Sequence, residues 1–159
     1  MIFDARTIAA ATDGELLHDG PAGPVGTDSR RVAPGSWFVA LTGDKFDGHN
    51  FLGVAGASGA AGAIVSKAPE RWPAGLVLVP DTLVALQGLA RFARDSFGGP
   101  VVGITGSAGK TSTRVMIVDA LQSLGIVHHT QGNLNNHIGL PLTLCHLPPM
   151  PMPWLWRWA

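Results

Sequence analysis

The stretch VVGITGSAGKTST, residues 101–113, constrains the fold more than any other part of the chain. An apolar, β-branched run leads into a glycine loop and then into residues of helical character, the order in which α/β proteins present backbone N–H groups to phosphate. Glycines let the backbone close around phosphate oxygens, and the helix N-terminus adds partial positive charge. A lysine at the helix start reaches the β and γ phosphates, and the next hydroxyl can ligate Mg²⁺. On that chemistry Gly106, Ser107, Ala108, Gly109, Lys110, Thr111 and Ser112 are candidate ATP-binding residues. Lys110 is the candidate catalytic group and Thr111 the candidate Mg²⁺ ligand. The spacing departs from the strict phosphate-loop pattern, because Ile104 stands where a glycine is required five residues ahead of Gly109. A glycine turn capping an ordinary helix is the plain structural alternative.

The remaining sequence alternates helical and strand-like segments. A short helix is expected around Asp4 to Ala11, and a strand and turn in GELLHDG. A strand is expected over Trp37 to Leu41 between Gly35 and Gly43, then a helix from Phe51 that gives way to a strand at AIVS. GLVLVP reads as a buried strand, and Asp81 is placed to cap a helix over Thr82 to Phe97. Gly98-Gly99-Pro100 is a natural domain boundary. Beyond it the pattern predicts a strand over Val101 to Thr105, a helix over Lys110 to Leu124, a strand at IVHHT, a polar loop, and a helix beginning near Pro141. This alternation argues for α/β architecture on both sides of the boundary.

Composition excludes several classes of function. Eleven basic and eleven acidic residues balance, so no charge excess marks nucleic acid or an anionic membrane as a partner. The single cysteine, Cys145, rules out an internal disulfide framework. The N-terminus MIFDARTIAA carries Asp4 and Arg6 within its apolar stretch, unlike a signal peptide, and no segment has the uncharged length of a membrane span. A soluble, cytoplasmic monomer is the expectation. His128 and His129 fall on opposite faces of a predicted strand, which disfavours joint metal ligation. Cys145 and His146 have no partner at zinc-ligand spacing.

GITGSAGKTS resembles the ATP loop of the Mur ligase superfamily, whose form is T-G-x-x-G-K-[ST]-[ST], and Thr105 to Ser112 fit that form. GNLNNHIGLPLTL, residues 132–144, looks like the loop of the MurF-type branch. In it Asn133, Asn135 and Asn136 offer uncharged amide donors and acceptors suited to phosphate, Mg²⁺-bound water or a carboxylate. An Asn-rich turn is the alternative. TDSRRVAPGSWFVALTGDKFDGHNF, residues 27–51, resembles the uridine-nucleotide domain of the MurE and MurF types: T-D-[ST]-R, P-G-x-x-F-x-A-L-x-G, then F-D-G-H-x-F.

The resemblance implies a small N-terminal UDP-substrate α/β domain over residues 1–98, followed over 99–149 by the incomplete start of a parallel-sheet ATP-binding domain. It implies that Asn133 and Asn136 join the ATP site. Thr27, Asp28, Ser29 and Arg30 would lie near the UDP pyrophosphate or sugar, with Asp47 and His49 shaping the nucleotide pocket. The family reaction is ATP- and Mg²⁺-dependent amide formation. The carboxylate of UDP-N-acetylmuramoyl-tripeptide takes the γ-phosphoryl group, and the amine of D-alanyl-D-alanine attacks the acyl phosphate. Against this stand a MurE-type ligase, a phosphate-loop kinase or NTPase of another family, and a non-catalytic nucleotide-binding module. The kinase would need an acidic strand after residue 131, and none is visible in frame.

Residues 150–159 break the pattern. The family continues here with a strand of the form D-A-D-x-x-V-x-E-x-G, whose glutamate binds Mg²⁺, whereas this chain has MPMPWLWRWA. Met and Trp each have one codon. Starting the frame at the third base of the Pro149 codon forces Ala at the second and fourth places and Gly at the tenth. With CCG for Pro, TTG for Leu and AGA for Arg the shifted reading is D-A-D-A-V-V-V-E-M-G. The tail is therefore expected to be an out-of-frame translation, and the chain, lacking that glutamate and the family's third domain, is not expected to be a competent ligase by itself.

Overall fold

The computed structural model describes residues 1–43, 46–123, 125–132 and 134–148. The tail over Met150 to Ala159 lies outside the described residues, as does Asn133.

The chain opens with α1 (Ala5–Thr12), which begins where the Asp4 carboxylate accepts from Thr7 N at 2.7 Å and ends where Asp13 turns left-handed. Strands β1 (Glu15–His18), β2 (Val25–Gly26) and β3 (Trp37–Val39) follow, with a 3₁₀ turn at Ser29–Arg31 between the last two. A two-stranded ribbon, β4 (Thr42–Gly43) and β5 (Phe46–Asp47), leads through a 3₁₀ turn at Gly48–Phe51 into α2 (Leu52–Ala57). Then come β6 (Gly62–Val65), β7 (Gly75–Leu78), α3 (Thr82–Ser96), α4 (Lys110–Gln122) and α5 (Gly139–Cys145). Helix α3 starts as its sequence requires, with the Asp81 carboxylate accepting from Leu83 N and Val84 N at 2.7 and 3.0 Å.

The main sheet has the order β1-β7-β6-β3-β2. Strands β2, β3, β6 and β7 are parallel, and β1 is antiparallel at the edge. Strands β3 and β6 are buried throughout, as strands covered on both faces must be. Alternation assigns Trp37, Val39, Ile64 and Val77 to one face, where α1, α3 and α5 supply Ile8, Leu86, Leu89 and Cys145. Phe38, Ala63, Val65 and Leu76 face the other way, against Val32 and α2 residues Leu52 and Ala55.

One aromatic ring sets the spacing of this sheet. Trp37 is fully buried, its indole N–H donates to the Pro21 carbonyl at 2.9 Å, and its register neighbours across β6 and β7 are Gly62 and Gly75. A Cβ at either glycine would come within 2.4 or 2.5 Å of the ring. Only glycine leaves room for it.

Helix α5 returns to the first core from beyond the glycine loop. It packs along α3, burying Cys145 completely and Ile138, Leu142 and Leu144 in part. Past its end His146 Nε2 donates to the Val25 carbonyl, and the Met1 amino group donates to the Leu147 carbonyl.

Two strand expectations fail. Neither residues 101–105 nor residues 126–130 join a ladder among the described residues. Val101 and Val102 are exposed, and Ile126 is 94% exposed. Apolar β-branched residues fit a pleated sheet, but a strand exists only with a partner to take its backbone hydrogen bonds, and none lies alongside here among the described residues. Helix α5 also starts two residues earlier than expected, because the Asn136 Oδ1 accepts from Ile138 N and Gly139 N at 3.1 and 2.7 Å and so nucleates the turn.

Candidate functional site

The glycine loop is shaped by backbone conformations that side chains oppose. Gly106 has φ of 148° and Gly109 has φ of 78°, and Gly109 is the residue from which α4 starts. Nothing crowds a Cβ at Gly109, so the requirement there is conformational rather than spatial. Lys110 is the first helical residue, and its ammonium donates to the Gly106 carbonyl, closing the loop upon itself. Gly106 to Ser112 are all exposed, so the N-terminal amides of a thirteen-residue helix and the hydroxyls of Thr111 and Ser112 face solvent. This arrangement can hold a polyphosphate: the amides and helix dipole favour anionic oxygens, and Lys110 can exchange a neutral carbonyl for a charged phosphate oxygen.

The polar loop after α4 is tied to the same helix. Arg114, one turn into α4, donates through Nη1 to the carbonyls of Thr130 and Gly132 at 2.7 and 3.2 Å. The Asn136 oxygen is spent on starting α5, and its amide N–H₂ has no partner among the described residues.

A separate pocket of about 340 Å³ lies beside the ends of β2 and β3. It is lined by Thr27, Asp28, Ser29 and Arg30 together with Phe38, Phe46 and Phe51. Arg30 grips Asp28 in a two-pronged pair, Nε to Oδ1 and Nη2 to Oδ2, each at 2.9 Å. That side-chain bond, with a second from Arg30 N, holds the Asp28 carboxyl down at about 2. The guanidinium still has donors to spare and is mostly exposed. Phe46 and Phe51 stand 6.4 Å apart between ring centroids at 41°, both partly open to solvent. The pocket thus combines an apolar aromatic wall with a cationic, hydroxyl-rich rim, which suits a planar base joined to phosphate.

Asp47 and His49 are not in this lining. Asp47 accepts from His49 N at 2.9 Å and lies 2.5 Å from His49 Nδ1, contacts that hold its carboxyl below the usual range. On its other side the imidazole meets the backbone of Ser66. The three phenylalanines join the polar residues expected here, and each sits inside the quoted P-G-x-x-F and F-D-G-H-x-F patterns. Their regular placement beside polar motif residues was the available signal.

Among the described residues, no group of three His, Cys, Asp or Glu is arranged to hold a metal. No helix among them is long and apolar enough to cross a membrane.

Residues 24–94 match the Mur ligase family, catalytic domain, and residues 104–150 match the Mur ligase middle domain. The chain is 39% identical over 153 residues to the UDP-N-acetylmuramoyl-tripeptide–D-alanyl-D-alanine ligase of Synechocystis sp., covering 93% of this chain and 34% of that protein. The ligases of the same name from Bacillus subtilis and Escherichia coli are each 43% identical, over 78% and 79% of this chain and 28% and 27% of their own lengths. The chain spans about a third of the length of these relatives. Among solved structures, MurF from Acinetobacter baumannii superposes with a TM-score of 0.86 at 33% identity, over 93% of this chain and 34% of that one. MurF ligase from Thermotoga maritima in complex with ADP gives 0.71 at 35% identity, over 80% and 30%.

Proposed function

Because this chain belongs to the Mur ligase family, whose members are ATP-dependent ligases, we propose that it carries the UDP-substrate pocket and the phosphate loop of a ligase that joins D-alanyl-D-alanine to UDP-N-acetylmuramoyl-tripeptide in the cytoplasm. The observation that carries this reading is the pairing, in one short chain, of an open glycine loop headed by Lys110 with an aromatic, Arg-rimmed pocket. The relatives' names supply the substrates.

On this reading each residue has a role. Residues 1–98 form the UDP-substrate unit, and residues 99–149 belong to the ATP-binding unit. Lys110 leaves the Gly106 carbonyl for the γ-phosphate, and the loop amides from Gly106 to Ser112 neutralise charge building on the transferring phosphoryl group as the substrate carboxylate takes it. The positive φ angles at Gly106 and Gly109 and the exposed Lys110 and Thr111 fit a nucleotide's phosphates. Thr111 would hold Mg²⁺ together with those phosphates, where the ion supplies charge neutralisation. Asn136 and Asn133 would contribute amide groups to nucleotide binding. Thr27, Asp28, Ser29 and Arg30 take the uridine diphosphate, Arg30 through its unpaired donors, while Asp47 and His49 act on the pocket from behind its wall.

The test is calorimetric titration of the chain with MgADP and, separately, with uridine 5′-diphosphate. Both are expected to bind, and Lys110→Ala is expected to abolish only the first. Binding of uridine diphosphate without MgADP would favour the non-catalytic nucleotide-binding module, and binding of neither would end the ligase reading.

A further inference from the structure

His49 is the most fully committed side chain near the pocket. Its side chain is 11% exposed. Nδ1 faces the Asp47 carboxylate at 2.5 Å, and Nε2 lies 3.0 Å from the backbone N of Ser66 and 3.3 Å from that of Lys67. A carboxylate only accepts and a backbone N–H only donates, so the proton must sit on Nδ1 and the lone pair on Nε2. Both ring nitrogens are thereby used within the protein, and the ring has no edge left for a ligand. What it joins matters more. His49 follows Phe46 by three residues and precedes Phe51 by two, whereas Ser66 and Lys67 directly follow β6. The ring therefore fastens the segment that carries both aromatic walls of the pocket to the carboxyl end of a buried strand.

We infer that His49 is a positioning residue: its neutral Nδ1–H form locks the aromatic wall of Phe46 and Phe51 in place for a nucleotide base, and the wall loosens when that form is lost. A doubly protonated ring would point an N–H at two N–H donors, which breaks the link to Ser66 and Lys67. The groups around it are Asp47, Lys67, whose ammonium is 4.0 Å from Asp47 Oδ2, and the Ser66 hydroxyl at 3.4 Å. Asp13 and Glu15 lie across the neighbouring cavity that Ser66 lines.

This inference rests on the uridine-diphosphate reading of the pocket, so the experiment separates the two. Uridine 5′-diphosphate is titrated into the wild-type chain, His49→Ala and His49→Gln, with urea unfolding of each, and the His49 ring nitrogens of the wild type are followed by ¹⁵N NMR from pH 8 downwards. No binding to the wild type would sink the pocket reading itself. If the wild type binds, His49→Ala is expected to weaken affinity by about tenfold. His49→Gln, whose amide oxygen can still accept from Ser66, should recover most of the loss. The wild-type spectrum should show Nε2 bare and Nδ1 protonated, with affinity falling in step as Nε2 gains its proton. Equal affinities in all three proteins, or affinity that does not follow Nε2 protonation, would overturn the positioning role. Should His49→Ala fail to fold, His49→Gln and the wild-type pH series decide the matter alone.

Discussion

His146 Nε2 donates to the Val25 carbonyl at 2.8 Å, across 121 positions of chain. One bond thus ties the exit of α5 to β2, and β2 runs directly into Thr27 and the pocket rim. His146→Ala should cost about 1 kcal/mol, the usual net worth of such a bond. A lower urea midpoint with an unchanged slope would show it, and an unchanged midpoint would mean that packing alone holds α5.

The Trp37 ring fills the space over two glycines, so enlarging either should strain the sheet. Gly62→Ala is expected to destabilise the protein by roughly 1–3 kcal/mol through overpacking. Combining it with Trp37→Leu, which vacates the ring's position, should cost less than the sum of the two single changes in a double-mutant cycle. Strict additivity would deny the contact.

The Asp28 carboxyl is held near 2, below its ordinary 3.8, first by its bond to Arg30. A depressed carboxylate favours the folded state fully above its unfolded value and loses that contribution as pH falls towards the folded one, so the relevant window lies between those two figures. Asp28→Asn should flatten the acid limb of a stability-against-pH curve there and lower stability at neutrality by the same amount, which is small because the pair is solvent-exposed. The same variant frees the Arg30 fork and should tighten binding of uridine diphosphate, as calorimetry would read.

Burial pushes the Cys145 thiol up to about 12, with the nearby Met1 amino group pulling weakly the other way. The native thiol should therefore resist an aromatic disulfide reagent at pH 8 and react only as fast as the protein opens. Because the folded value is raised, the native state keeps a proton that the unfolded chain releases, so stability should fall as pH climbs above about 9. Prompt labelling of the native protein would contradict the burial of α5 against the core.

Local chemistry made much of this legible from sequence. Asp4 and Asp81 announce their helices because a short carboxylate can take orphan N–H groups only at a helix start. Gly106 and Gly109 announce a tight loop before α4 because glycine alone readily adopts their positive φ. What escaped notice depends on distant parts of the chain. Val101 to Thr105 carry strand chemistry, but a ladder is a property of two segments, and the partner is not written in the first. His49 reads from sequence as shaping the pocket; its bond to Ser66 is set seventeen residues away. The use of the Asn136 oxygen to start α5 is likewise a matter of the fold, not of the residue type.

The packing of α5 also sets an order of events during synthesis. The first residue of the chain bonds to the 147th, and the core beneath α1 and α3 receives Cys145 as one of its walls. A ribosome that has released residues 1–98 has produced every strand of the main sheet with α1, α2 and α3 but not α5, so the side of α3 that α5 covers stays bare until about fifty more residues have emerged.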